Sequence, residues 1–204
     1  MCFYMKDAIK GFLAGILISL GCVVYTMSTN KIVGSFLFSF GLFTILHLKL
    51  NLYTGKIGYI VNKFSWSYIK ELLLTLFGNI LGALFMAIVM NFTRLDLSSI
   101  KDIVSIKTSD SIISILILSF FCGILMFLGV ELFNVSESFL SKILAVIFAV
   151  MVFILSGFEH CVANMFYFFY ANSLDNQSIL YLLLMIFGNS IGSCFISVLY
   201  KLVK

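Results

Sequence analysis

The sequence predicts an all-α integral membrane protein, a single domain of six transmembrane segments. They form an inverted 3+3 repeat in which the second and fifth helices are broken. Three observations carry this prediction: the composition, the spacing of the charges, and an internal repeat. Of 204 residues, 62% are hydrophobic, 11% are charged and none is proline. An ordinary soluble domain is about 45–50% apolar and about 25% charged. A soluble fold of this size has too little interior to hide such an excess, which excludes a cytosolic enzyme and a disordered chain. The net charge of +4 comes without a basic patch, which excludes a nucleic-acid binder.

The charges delimit the spans. Charge-free stretches run Gly11–Asn30 (20 residues), Ile32–Leu48 (17), Leu72–Thr93 (22), Ser111–Val130 (20), Ile143–Phe158 (16) and Asn176–Tyr200 (25). A helix crossing about 30 Å of hydrocarbon needs about 20 residues. The first, third, fourth and sixth stretches qualify outright. The second and fifth are short, and each runs on past a polar interruption, Lys49–Asn51 and Glu159–His160. Met1–Lys10 followed by an apolar run has the outline of a signal peptide, but the cleavage pattern is poor and five spans follow. The segment is therefore expected to stay as the first helix.

Lysine and arginine placement sets the orientation. In a six-span chain both termini and the even-numbered loops share one side. Lys6, Lys10, Lys56, Lys63, Lys70, Lys142, Lys201 and Lys204 fall there, against Lys31, Arg94, Lys101 and Lys107 opposite, so both termini are expected in the cytoplasm. Lys49 lies near or within the second span. Cys2, Cys22, Cys122, Cys161 and Cys194 are odd in number and contain no C-x-x-C. They read as packing residues, with no disulfide framework, metal site or cofactor expected.

The repeat comes in two pieces. Gly15-Ile-Leu-Ile-Ser-Leu-Gly21 recurs as Gly123-Ile-Leu-Met-Phe-Leu-Gly129, an offset of 108. Gly78-Asn79-Ile-Leu-Gly82 recurs as Gly188-Asn189-Ser-Ile-Gly192, an offset of 110. The halves are thus about 1–91 and 111–204. Each holds three spans, and because three is odd the second copy enters from the opposite side, around a pseudo-twofold axis in the membrane plane. The same offset sets the polar run 51–56 opposite 159–164. Broken helices at that depth are tolerable only inside protein or along a cavity, and their N-termini favour anions. These features imply a small-solute channel or transporter with an anion-friendly centre.

The run Gly157-Phe-Glu-His-Cys-Val-Ala-Asn-Met-Phe166 closely resembles the G-F-E-H-S-x-A-N-M-F signature of the formate/nitrite transporter family. Leu52-Tyr-Thr-Gly55 is similar to that family's L-F-T-G break, and the two G-N-x-x-G segments match its third and sixth helices. The resemblance implies an aquaporin-like six-helix protomer, a homo-pentamer in the cell membrane with one pore per protomer, and small monovalent weak-acid anions as substrates. It places the pore histidine at His160 and the facing threonine at Thr54, with Glu159 and Asn164 beside them. It puts one apolar constriction at Leu42, Leu52 and Tyr53, and the other at Phe38 and Phe153. Lys107, Lys49 and Lys142 are the candidate anion-attracting cations.

The chain departs from the family pattern at Asn51, where an acid is usual, at Lys56, where asparagine or a small residue is usual, and at Tyr53, where phenylalanine is usual. The family's lysine near the start of the fourth helix aligns with Ser111, leaving Lys107 one turn earlier as its substitute. Glu159 reads more readily as the partner of backbone N–H groups or another helix than as a substrate contact. His47 and Lys49 are candidates for a charged ring at the cytoplasmic mouth, although Lys49 also reads as a snorkelling side chain. An aquaporin-type channel for neutral solutes shares the expected fold, but its two Asn-Pro-Ala boxes need prolines that this chain lacks. A membrane metalloenzyme needs more converging ligands than His47, His160 and one carboxylate.

Overall fold

A computed structural model describes residues 3–203; Met1, Cys2 and Lys204, including the expectations placed on Cys2 and Lys204, lie outside the described residues. The four stretches of full length each lie mostly within one helix: α1 (Phe3–Met27), α4 (Trp66–Met90), α6 (Ile112–Val135) and α9 (Asn176–Val203). All four are long and apolar enough to cross a membrane. Serine side chains start two of them. Ser65 accepts from the Tyr68 N–H and Ser111 from the Ser114 N–H, each satisfying a donor that the first turn would otherwise strand.

Helix α1 packs on α4, and α6 packs on α9. Glycine makes both crossings close. A Cβ at Gly82 would lie 2.2 Å from the Phe12 carbonyl oxygen, and one at Gly192 would lie 1.9 Å from that of Phe120. Backbone therefore meets backbone, the mode of helix association that small residues permit. The outward faces keep large apolar side chains such as Phe77, Phe85, Phe187 and Phe195 exposed, the pattern of a surface that meets lipid or a neighbouring subunit rather than water.

The two short stretches are each built in two pieces. Helix α2 (Lys31–His47) ends before residues 48–52, and α3 (Tyr53–Lys56) follows, continued by a 3₁₀ turn over Ile57–Val61. Helix α7 (Phe139–Leu155) ends before residues 156–160, and α8 (Cys161–Tyr170) follows. The two endings share one hydrogen-bond pattern. Lys49 N–H donates to Leu46 and Leu50 N–H to Ile45; Gly157 N–H donates to Ile154 and Phe158 N–H to Phe153. Both are Schellman caps, which need one residue in the left-handed region. Gly157 takes it at φ 70° and Lys49 at φ 52°. The lysine is the costlier occupant, because its Cβ crowds the carbonyl.

One element is absent from the sequence reading. Residues 99–108, within the charged connection between the halves, form α5 (Ser99–Thr108), which buries Ile100 and Val104.

Candidate functional site

Helices α3 and α8 begin with their N-terminal residues close together, and the sequence places Leu52-Tyr53-Thr54 at one start and Glu159-His160-Cys161 at the other. Thr54 Oγ1 and His160 Nε2 lie 2.8 Å apart, joining residues 106 positions distant. His160 Nδ1 accepts the Ala163 N–H at 3.2 Å and so caps α8. A nitrogen that accepts carries no proton, so the neutral ring holds its proton on Nε2 and donates it to Thr54 Oγ1. The Phe153 ring stacks on the imidazole, 5.6 Å between centroids and 26° from parallel. Phe38 meets Phe153 edge-on at 5.9 Å and 87°. Thr54 and His160 are both buried.

Two asparagines hold these helix starts in place. Asn79 on α4 accepts the Tyr53 N–H at 2.9 Å and donates to the carbonyls of Gly11 and Asn51. Asn189 on α9 accepts the Cys161 N–H at 2.9 Å and donates to the carbonyls of Ser119 and Glu159. Each side chain spends its acceptor and both donors on backbone that would otherwise be orphaned in an apolar interior. The sequence reading matched these residues to a motif and missed that task; their recurrence in two equivalent G-N-x-x-G segments was the available signal.

Glu159 Oε2 accepts from Lys107 Nζ at 2.5 Å and from Asn164 Nδ2 at 2.8 Å. Asn164 Nδ2 also donates to the His160 carbonyl, while its Oδ1 is buried without a partner among the described residues. Lys107, carried by the unanticipated α5, thus reaches the predicted acid. At the other helix start Asn51 Nδ2 donates to Oδ1 of Asp7 on α1 at 3.2 Å. Asp7, which the sequence reading passed over, is buried there.

A cavity flanks each end of this pair. The first, of about 350 Å³, is lined by Phe38, Phe153, Lys107, Glu159, His160 and Asn164 among others. The second, of about 480 Å³, is lined by Leu42, Leu52, Asn51 and four lysines, Lys10, Lys49, Lys56 and Lys63. Besides Thr54, three candidates sit apart from both linings. The Tyr53 hydroxyl pairs with Ser190 Oγ at 2.8 Å. Lys142 Nζ stands 5.6 Å above the Phe133 ring. His47 packs against Phe43 and Phe133, at 4.0 and 5.1 Å between centroids, so Lys49 faces the cavity without it.

An arrangement of this kind, with apolar side chains on either side of a hydrogen-bonded histidine and lysines beyond them, suits a small anion that must lose water to pass. The chain is 27% identical over 184 residues to the formate channel FocA of Escherichia coli strain K12, covering 79% of this chain and 65% of that protein. It is 26% identical over 179 residues to FocA of Haemophilus influenzae, covering 77% and 63%. The chain thus spans just under two-thirds of the length of these curated relatives. Among solved structures, a pentameric formate channel with formate bound superposes with a TM-score of 0.84 at 23% identity, over 98% of this chain and 97% of that one. An ion channel of the same family superposes with a TM-score of 0.83 at 22% identity, over 99% and 90%. The formate/nitrite transporter family's own sequence profile matches residues 4–203, so this membrane protein, with a buried histidine lining one of its two larger described cavities, belongs to the formate/nitrite transporter family.

Proposed function

We propose that the protein conducts small monovalent weak-acid anions, formate, nitrite or hydrosulfide, through one pore per protomer, with His160 at its centre. The observation that carries this reading is the Thr54–His160 hydrogen bond between two helix starts, with Phe153 stacked on the ring and a cavity at either end. The chain is then a single membrane domain of two inverted three-span repeats, about 1–91 and 111–204, with broken second and fifth helices. The shared Schellman endings and the paired asparagine hubs support that symmetry. The protein is a channel rather than an enzyme. It sits in the cell membrane with both termini and the lysine-rich cavity facing the cytoplasm, and it assembles as a pentamer.

Leu42 and Leu52 form one constriction and Phe38 and Phe153 the other, with Tyr53 bracing the first from behind through Ser190. An unprotonated anion between them has shed water at an idealised Born cost on the order of 20 kcal/mol, several kcal/mol of which persist after relaxation. Gaining a proton removes most of that penalty. A second proton on His160 must enter at Nδ1 and displaces the Ala163 N–H, so charging the ring and uncapping α8 are one event. The charged ring then supplies a proton to the anion, which leaves neutral, while Thr54 orients it and the Glu159–Lys107 pair keeps the flanking carboxylate compensated. A channel for neutral solutes needs none of these charges. Side-by-side uptake of labelled formate, nitrite, hydrosulfide and glycerol into proteoliposomes tests the reading. Entry of at least one anion with exclusion of glycerol is expected, and glycerol entry with exclusion of all three anions overturns it.

A further inference from the structure

The two helix starts carry opposite chemistry. At the offset of 108, Asn51 corresponds to Glu159 and Lys56 to Asn164. The acid and amide of one end are an amide and a lysine at the other. Around the histidine-side cavity the charged residues are Lys31, Lys107 and Glu159, two cations less one anion, and Glu159 holds Lys107. Around the other cavity Lys10, Lys49, Lys56 and Lys63 face the single carboxylate Glu71, four less one, with Asp7 set behind Asn51. Glu71 pairs with Lys56 and Lys63 stands 5.3 Å above the Tyr59 ring, while the ammonium groups of Lys10 and Lys49 have no hydrogen-bond or ion-pair partner among the described residues. The hydroxyls of Tyr59 and Tyr68 are already donated to Glu131 and to the Lys56 carbonyl. A guest in this cavity therefore meets ammonium groups, above a floor of Leu42 and Leu52.

That combination sorts anions by charge. Several converging ammonium groups attract a multivalent anion more strongly than a monovalent one. The desolvation penalty at the leucines rises with the square of the charge, and a multivalent anion keeps a negative charge after taking one proton. Such an anion enters, is held, and goes no further. We propose that the lysine-rich cavity is a binding site for multivalent phosphate anions, which occupy that mouth and inhibit conduction from that side alone. The binding stands by itself; the inhibition rests on the anion-channel reading above.

Pyrophosphate is the probe, applied to one face at a time of a bilayer of zwitterionic lipid while formate current is measured. Block at least tenfold more potent from one face than from the other is expected, weakening as ionic strength rises. In the double variant Lys49→Gly/Lys63→Gln, block measured against that variant's own unblocked current should weaken at least tenfold. Glycine suits the left-handed backbone at position 49. In detergent, pyrophosphate should raise the melting temperature of the wild type and not of the variant, a readout that stands even if formate carries no current. Equal potency from both faces, or a variant stabilised as the wild type is, overturns the proposal. Inhibition that requires anionic lipid and ignores pyrophosphate assigns the lysines to headgroups and overturns it too.

Discussion

Phe153 illustrates how much a single side chain does at this site, because it stacks on His160 with one face and receives Phe38 on its edge. Phe153→Ala removes both contacts, and such a truncation typically costs about 3–5 kcal/mol of stability in a packed interior. Its diagnostic effect lies elsewhere, in size selectivity. Phe153→Ala and Leu52→Ala should each admit bulkier monoanions such as lactate relative to formate, measured as an uptake ratio; unchanged ratios in both variants remove these positions from the pore. At this scale the sequence was partly readable. The resemblance singled out Thr54 and His160, whose side chains lie 2.8 Å apart in the structure. The Lys107–Glu159 pair was harder to see because 52 residues separate its members and α5, which presents Lys107, sits in a stretch of charged residues. Asp7 was missed because a lone acid near a chain end carries no sign that it is buried against Asn51.

Among the elements, α3 and α8 depend on distant side chains for their first hydrogen bonds. Asn79→Ala strands the Tyr53 N–H and the Gly11 and Asn51 carbonyls, and Asn189→Ala strands their counterparts. An orphaned buried group costs roughly 1–3 kcal/mol, whereas membrane proteins that find substitute partners lose only about 0.6 kcal/mol per bond. Three groups stranded together leave little room for substitutes, so both variants should lower the melting temperature in detergent by several degrees. Asn91→Ala, which loses one bond to Ala87 near a helix end, should not; equal effects from all three would refute the hub assignment. The four long helices were legible from charge spacing alone. The endings of α2 and α7 were legible as short spans, but only Gly157 announced its left-handed cap; Lys49 adopts the same conformation without any such signal.

For the whole molecule, the glycine crossings spend the small residues inside the protomer and leave phenylalanine and leucine on its outside. Those outer faces are the surfaces available to neighbouring subunits in the proposed pentamer. Native mass spectrometry in mild detergent should give a five-fold species, and a stable monomer or trimer counts against the assembly. An internal repeat was visible in the sequence as two offsets, 108 and 110, because close helix approach restricts Gly15, Gly82, Gly123 and Gly192 to glycine. The offset of 108 exposes the exchange of Asn51 and Lys56 for Glu159 and Asn164, but not which other charged side chains reach each cavity.

The proposed coupling of conduction to protons through His160 is tested by the pH dependence of formate uptake into proteoliposomes by the wild type and by His160→Asn. The wild type should show flux rising as pH falls, since each translocated anion passes the apolar rings more easily once protonated. His160→Asn should keep the fold and the oligomer, because asparagine also caps a helix N-terminus, and should flatten or abolish that rise. Formate uptake by His160→Asn with the wild-type pH profile would make His160 a structural cap and contradict the mechanism.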